Sequence, residues 1–232
     1  LGVKGVNVVI LYPSGKVSNI QEKQLTTLGK NISALKVSGT FDDCQAMVKT
    51  AFLDENLTKK MQLTSANSIN VARWLPQLFY FMFAYKKLHN KYEDLVFSVP
   101  SGNFGNLCAG IMAQQLGLPI KHFIASNNEN NVVTEYLKTQ LYNPKPSIQT
   151  ISNAMDVGNP SNFTRIQEIY KNKFEILKNN VSSFSFSDDE TKAAMKEIYT
   201  NHNYVSDPHG AVGYLGCKAY LEKKTNGHCV FL

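Results

Sequence analysis

The sequence predicts an α/β protein with a mostly parallel sheet, and three observations carry that prediction. Short β-branched or fully apolar runs at residues 6–11 (VNVVIL), 32–37, 95–99 (LVFSV) and 120–125 alternate with segments of helical period. That β-α-β-α rhythm joins parallel strands through right-handed crossovers. The third observation is size: 232 residues, 43% apolar and 18% charged, can bury a full core without disulfides or a structural metal.

The elements follow in order. Residues 6–11 end at the turn Tyr12-Pro13-Ser14-Gly15. Ser18 caps the next helix, with Gln21 three residues on as a capping box, and Gly29 closes it. Gly39-Thr40 leads from the second strand into a helix running from Phe41 to about Asp54. Residues 64–70 form a polar loop, and a long helix spans 71–88 with Pro76 near its first turn, where a missing N–H costs least. Within it LFYFMFAY (78–85) is far shorter than the ~20 residues a membrane span needs, so it predicts a buried helix segment. Strand 95–99 runs into Pro100-Ser101-Gly102-Asn103-Phe104-Gly105-Asn106 and a helix over 107–116. A helix is predicted at 132–139, a long loop at 150–162, and helices at 163–172, 188–201 and 211–223. Nothing characteristic marks 171–187. The final Cys229-Val230-Phe231-Leu232 reads as the opening of a buried strand, and with Leu at position 1 it suggests a piece of a longer protein, incomplete at both ends.

Charge and cysteine usage narrow the function. Lys+Arg 24 against Asp+Glu 18 gives +6, scattered rather than striped with aromatics, which argues against nucleic acid. A modest positive field suits a small, multiply negative ligand such as a phosphate ester. Cys44, Cys108, Cys217 and Cys229 have no zinc-site spacing, so no metal is expected, and they read as buried thiols in a reducing compartment. No signal-peptide or membrane-span pattern is found, and a cytoplasmic location is expected.

Three polar turns, each opening a helix, are candidate sites. In Ser101-Gly102-Asn103-Phe104-Gly105-Asn106, between a buried strand and a helix, glycines let backbone approach a ligand and the helix directs free N–H groups at an anion. It is neither a Walker A loop nor a dinucleotide fingerprint. The alternative is that the glycines only shape a tight turn. In Ser65-Ala-Asn67-Ser68-Ile-Asn70-Val-Ala-Arg73, Arg73 could clamp a phosphate or carboxylate bidentately. The alternative is an ordinary capped helix start with a solvated arginine. In Asp207-Pro-His209-Gly-Ala211, Asp207 or His209 could touch a ligand, and residues 153–160 are similarly suggestive. The acidic pairs 42–43 and 188–189 sit at helix starts, where they suit the dipole.

Together LYPSGKVSNIQEKQLTTLGKNI, GTFDDCQAMVK, LTSANSINVARWLPQ, FSVPSGNFGNLCAGIMAQQLGLP, SNAMDVGNPSNF and DPHGAVGYLG resemble the threonine synthase family, in consistent order over nearly the whole chain. That resemblance implies the tryptophan-synthase-β-like, type II fold of pyridoxal-phosphate enzymes. It implies conversion of O-phospho-L-homoserine and water to L-threonine and phosphate. By it, Ser101, Gly102, Asn103, Phe104, Gly105 and Asn106 hold the phosphate of pyridoxal 5'-phosphate; Asn67, Ser68 and Arg73 bind the substrate's phosphate; Asp207 and His209 lie beside the cofactor ring. It also implies that residues 1–62 belong to a smaller α/β domain and 63–232 to a larger one. The lysine that carries the cofactor belongs to a Phe-Lys-Asp-like motif upstream, which this sequence lacks, so no catalytic residue is assigned and the chain alone is expected to be inactive. Another enzyme of the fold, such as a threonine dehydratase, or a non-catalytic phosphate-ligand module would share the cradle.

Overall fold

The computed structural model describes residues 1–223 and 227–232. They form two compact units, Leu1–Thr64 and Ser65–Leu232.

In the first unit β1 (Val8–Pro13) leads through α1 (Asn19–Thr26) to β2 (Ile32–Val37), which pairs parallel to β1 in the register Val8↔Ile32. α2 (Phe41–Leu53) and the single turn α3 (Glu55–Thr58) complete it. Capping boxes start both longer helices: Ser18 with Gln21, and Thr40 with Asp43. Gly29 does not close α1, which already ends at Thr26; Gly29 and Lys30 turn the chain into β2 through left-handed backbone.

The second unit opens with a 3-10 turn (Val71–Arg73) and α4 (Trp74–Leu88), so the long helix begins three residues later than expected. Then come β3 (Leu95–Pro100), α5 (Gly105–Gln115), β4 (His122–Asn127), α6 (Val132–Thr139), α7 (Phe163–Ile169), α8 (Phe174–Asn180), β5 (Val181–Ser185), α9 (Asp188–His202), α10 (Pro208–Lys223) and β6 (His228–Phe231). The four strands form one all-parallel sheet in the order β5-β4-β3-β6.

Both faces of β3 are covered, which is why it reads as an unbroken apolar run. Leu95, Phe97 and Val99 pack with Trp74, Leu78 and Phe81 of α4 and Leu107 and Ile111 of α5. Val96 points the other way, against Tyr220 of α10 and Ile124 of β4. On that second face Ser98 Oγ donates to Gly213 O of α10 at 2.7 Å and lies 2.8 Å from Ser126 Oγ, so its buried hydroxyl is satisfied.

Three expectations need correction. Residues 78–85 are not a buried segment: Leu78 and Phe81 are buried, but Phe79, Tyr80 and Phe83 are 52, 67 and 63% exposed, because only one face of α4 meets α5 and the sheet. Cys44, Cys108 and Cys217 are buried as expected, whereas Cys229 on the edge strand β6 is half-buried. The fourth strand starts at His122, not Ile120; Ile120 N donates to Leu118 O in the preceding turn. Among the described residues no helix is long and apolar enough to cross a membrane.

Candidate active site

The strand order reverses direction around β3: β4 and β5 follow it outward on one side, and β6 lies on the other. Ligands of open parallel sheets bind at such a switch point, beyond the carboxyl ends of the strands. There the structure has a cavity of about 700 Å³, bounded by Pro100 at the end of β3, Gly102 to Asn106 after it and Leu232 after β6.

The turn after β3 is shaped by one residue with left-handed backbone. Phe104 has φ 63° and ψ 10°, and α5 begins behind it with no side-chain cap. None of the backbone N–H groups of Gly102, Asn103, Phe104, Gly105 and Asn106 finds a partner among the described residues. Free donors and the positive end of an 11-residue helix therefore converge on the cavity. The walls are tight. A Cβ on Gly102 would come within 2.6 Å of Met155 Cα, and one on Gly105 within 2.7 Å of Ser68 Cβ. Phe104 buries its ring against Phe163, 5.9 Å between centroids, which holds the strained residue in place.

Side chains brace this turn rather than fill it. Ser101 lies outside the cavity wall: its Oγ donates to Val99 O, its N to Ser126 O, and its carbonyl accepts from Asn127 Nδ2. Asn106 Nδ2 donates to Pro100 O at 2.7 Å. Asn103 Oδ1 accepts from Ser161 N and Oγ, while its Nδ2 donates to Ser68 Oγ at 2.8 Å. Within α5, burial pushes the Cys108 thiol up to about 12.

The turn before α4 faces the same cavity differently. Asn67 is exposed and outside the wall; its Oδ1 accepts from Ser68 N and Oγ. Asn70 caps the 3-10 turn through Ala72 N. Ser68 and Arg73 do line the cavity, and Arg73 makes no ion pair among the described residues.

Asp207 and His209 separate likewise. Asp207 accepts from Gly210 N at 2.8 Å and caps α10, away from the wall. His209 lines the cavity; its Nδ1 is 3.8 Å from Asp207 Oδ1, and its Nε2 is buried without a partner. The 153–160 loop supplies Ala154 and Met155 to the wall. Asp156 anchors that loop, accepting from Thr150 N and Oγ1, Asn128 Nδ2 and Asn130 Nδ2. Burial raises the Asp156 carboxyl above its ordinary value, and the bonds from Thr150 and Asn128 pull it back.

Sequence reasoning missed Arg165 and Asn162. Arg165 donates to Ser68 O and Ile69 O, and Asn162 Oδ1 accepts from it. No local signal marks the role of Arg165, because two of its partners, Ser68 and Ile69, lie 97 and 96 residues away. Among the described residues no group of three or more His, Cys, Asp or Glu could hold a metal. The residues present do fit the phosphate of a pyridoxal-phosphate group: unpartnered N–H donors line a cradle that a single added Cβ would fill.

A switch-point cavity in an all-parallel sheet, with an anion cradle at a helix start, defines the class of enzymes that bind a phosphorylated cofactor by backbone. The chain belongs to the family described as pyridoxal-phosphate dependent enzyme, which it matches over residues 2–232. It is 48% identical over 226 residues to a threonine synthase from Buchnera aphidicola subsp. Baizongia pistaciae, covering 97% of this chain and 52% of that protein. It is 46% identical to a threonine synthase from Escherichia coli, covering 95% of this chain and 51% of that one. The crystal structure of threonine synthase from Escherichia coli superposes with a TM-score of 0.87 at 43% identity, over 97% of this chain and 52% of that chain. The PLP-bound threonine synthase of Brucella melitensis gives 0.80 at 30% identity, over 97% of this chain and 54% of its own. The chain thus spans about half the length of the curated relatives it matches. A threonine deaminase from Solanum lycopersicum, 17% identical with a TM-score of 0.68, shares the fold, so the type II fold expected from sequence is the one observed.

Proposed function

We propose that the protein is a threonine synthase, converting O-phospho-L-homoserine and water to L-threonine and inorganic phosphate. The observation that carries this reading is one cavity with two separate provisions for anions: the N–H cradle of Gly102 to Asn106, and Ser68 with Arg73. A cofactor phosphate and a substrate phosphate would need both, whereas an enzyme acting on an unphosphorylated amino acid would leave Arg73 without an anion. The similarity to threonine synthases supports the same choice.

Bound pyridoxal phosphate supplies an electron sink that lets protons leave carbons near the substrate amine. The chain's own residues bind and orient. Gly102, Asn103, Phe104, Gly105 and Asn106 hold the cofactor phosphate through backbone N–H groups, with Ser101 bracing the turn from behind. Arg73 and Ser68 hold the substrate phosphate, with Asn67 setting Ser68 through its amide oxygen. As the Cγ–O bond breaks, the departing phosphate gains charge, and Arg73 stabilises that charge. His209 presents its unpartnered Nε2 on the ring side.

In this reading residues 1–62 are part of the smaller domain and 63–232 most of the larger one. Four free cysteines support a reducing, cytoplasmic setting. The test uses the protein from its complete reading frame, loaded with pyridoxal phosphate and given O-phospho-L-homoserine. Phosphate and threonine should appear one for one; cofactor binding with neither product overturns the reading.

A further inference from the structure

Arg165 is half-buried on α7, yet its guanidinium is used up on the turn that carries the second anion provision. Nη1 donates to Ser68 O at 3.1 Å and to Asn162 Oδ1 at 2.8 Å, and Nη2 donates to Ile69 O at 2.6 Å. One face of the group lies 5.5 Å from the ring centroid of Trp74, the residue next to Arg73. It makes no ion pair among the described residues. An arginine enclosed only for packing would ordinarily meet a carboxylate; here neutral carbonyls and an indole take its place.

The two anion provisions share one brace, Asn103 Nδ2 on Ser68 Oγ, and otherwise rest on different groups. The cradle has Ser161 on Asn103 Oδ1 and Asn106 on Pro100 O, neither of which involves Arg165. The Ser65–Asn70 turn uses its own amides internally: Ser68 N goes to Asn67 Oδ1 and Asn70 N to Asn67 O. What ties Ser68 and Ile69 across to α7 is the arginine fork, and its planar donors can span two successive carbonyls as an ammonium cannot.

We propose that Arg165 is a positioning residue for the substrate phosphate: it touches no ligand, but fixes Ser68 and the 3-10 turn bearing Arg73 where that phosphate is received. This rests on the reading that Ser68 and Arg73 face the substrate's phosphate.

The experiment compares wild type, Arg165→Met and Arg165→Lys, each from the complete reading frame and loaded with pyridoxal phosphate. Inorganic phosphate is titrated by calorimetry, and KM and kcat are measured with O-phospho-L-homoserine. In Arg165→Met the phosphate Kd and the substrate KM should rise at least about tenfold, the loss expected for charge-assisted hydrogen bonds. Cofactor affinity should stay within about threefold, because the cradle keeps its other braces. Lysine, keeping the charge but not the fork, should restore only part of the loss. If Arg165→Met does not fold, the lysine variant carries the test alone with the same split between phosphate and cofactor. Unchanged phosphate affinity, including binding to neither protein, overturns the proposal. A parallel loss of cofactor affinity, or complete rescue by lysine, also overturns it. A wild type that makes no threonine sinks the proposed reaction but leaves the phosphate titration to decide the role of Arg165.

Discussion

The two polar turns that face the cavity are built from the same kinds of residue and work in opposite ways. In the turn before α5 the side chains are turned outward to neighbours, Asn106 to Pro100 O and Asn103 to Ser68 and Ser161, and the amides of residues 102–106 are left free. In the turn before α4 the amides are consumed: Ser68 N by Asn67, Asn70 N by Asn67 O, Ala72 N by Asn70. There Ser68 and Arg73 line the cavity. In the proposed function the first turn is therefore a backbone receptor, sensitive mainly to added bulk. The second, in that same proposal, is a side-chain receptor, in which the charge of Arg73 does the binding and its neighbours set the position.

Three substitutions test that contrast, in falling order of effect. Gly105→Val puts a branched side chain where a Cβ already meets Ser68 at 2.7 Å. Overpacking of this kind costs up to ~3 kcal/mol, so pyridoxal-phosphate affinity should fall by about a hundredfold, read by cofactor absorbance in a dialysis titration. Retained affinity would remove the backbone from the role given to it. Arg73→Ala should raise KM for the phosphorylated substrate by about tenfold, as expected for a lost charge-assisted contact, and leave cofactor affinity intact. Equal loss of both would mean that the two receptors are one. Asn67→Ala removes an exposed acceptor that only organises the turn. It should cost about 1 kcal/mol or less in thermal stability, with KM changed by about twofold at most. A KM effect as large as that of Arg73→Ala would place Asn67 on the ligand itself.

How much of this could be read in the sequence depends on whether the cause was local. Capping boxes at Ser18 and the buried strand β3 depend on neighbours a few residues away, and both were legible. The fold class followed from the alternation of such elements. Residues 171–187 hid α8 and β5 because β5, VSSFS, lacks an apolar run. Its serines are instead satisfied across strands, Ser182 Oγ at His122 Nε2 and Ser183 Oγ at Ala125 O. LFYFMFAY misled in the other direction, since hydrophobicity all round a helix does not say how many faces find a partner. At the site, the glycine turn and Arg73 were legible as candidates, and both line the cavity. That Ser101, Asn67 and Asp207 brace the turns instead of lining the cavity was not, because a serine or asparagine has the same letter in either role. Arg165 was invisible for the reason that makes it useful: its partners come from another part of the chain.

The position of β3 has a consequence for how the protein is made. Its neighbour on one side is β6, and Ser98 within it bonds to Gly213, 115 residues later in the chain. The cavity wall likewise draws on Ser68 at one extreme and on His209 and Leu232 at the other. A ribosome releasing the chain from its amino end must therefore hold β3, apolar along its length, without its second partner until β6 emerges. During that interval the amides of the cradle exist but the cavity lacks the wall that His209 and Leu232 supply. A nascent chain stalled before α10, lacking that wall, should be one that chaperones hold and pyridoxal phosphate cannot rescue.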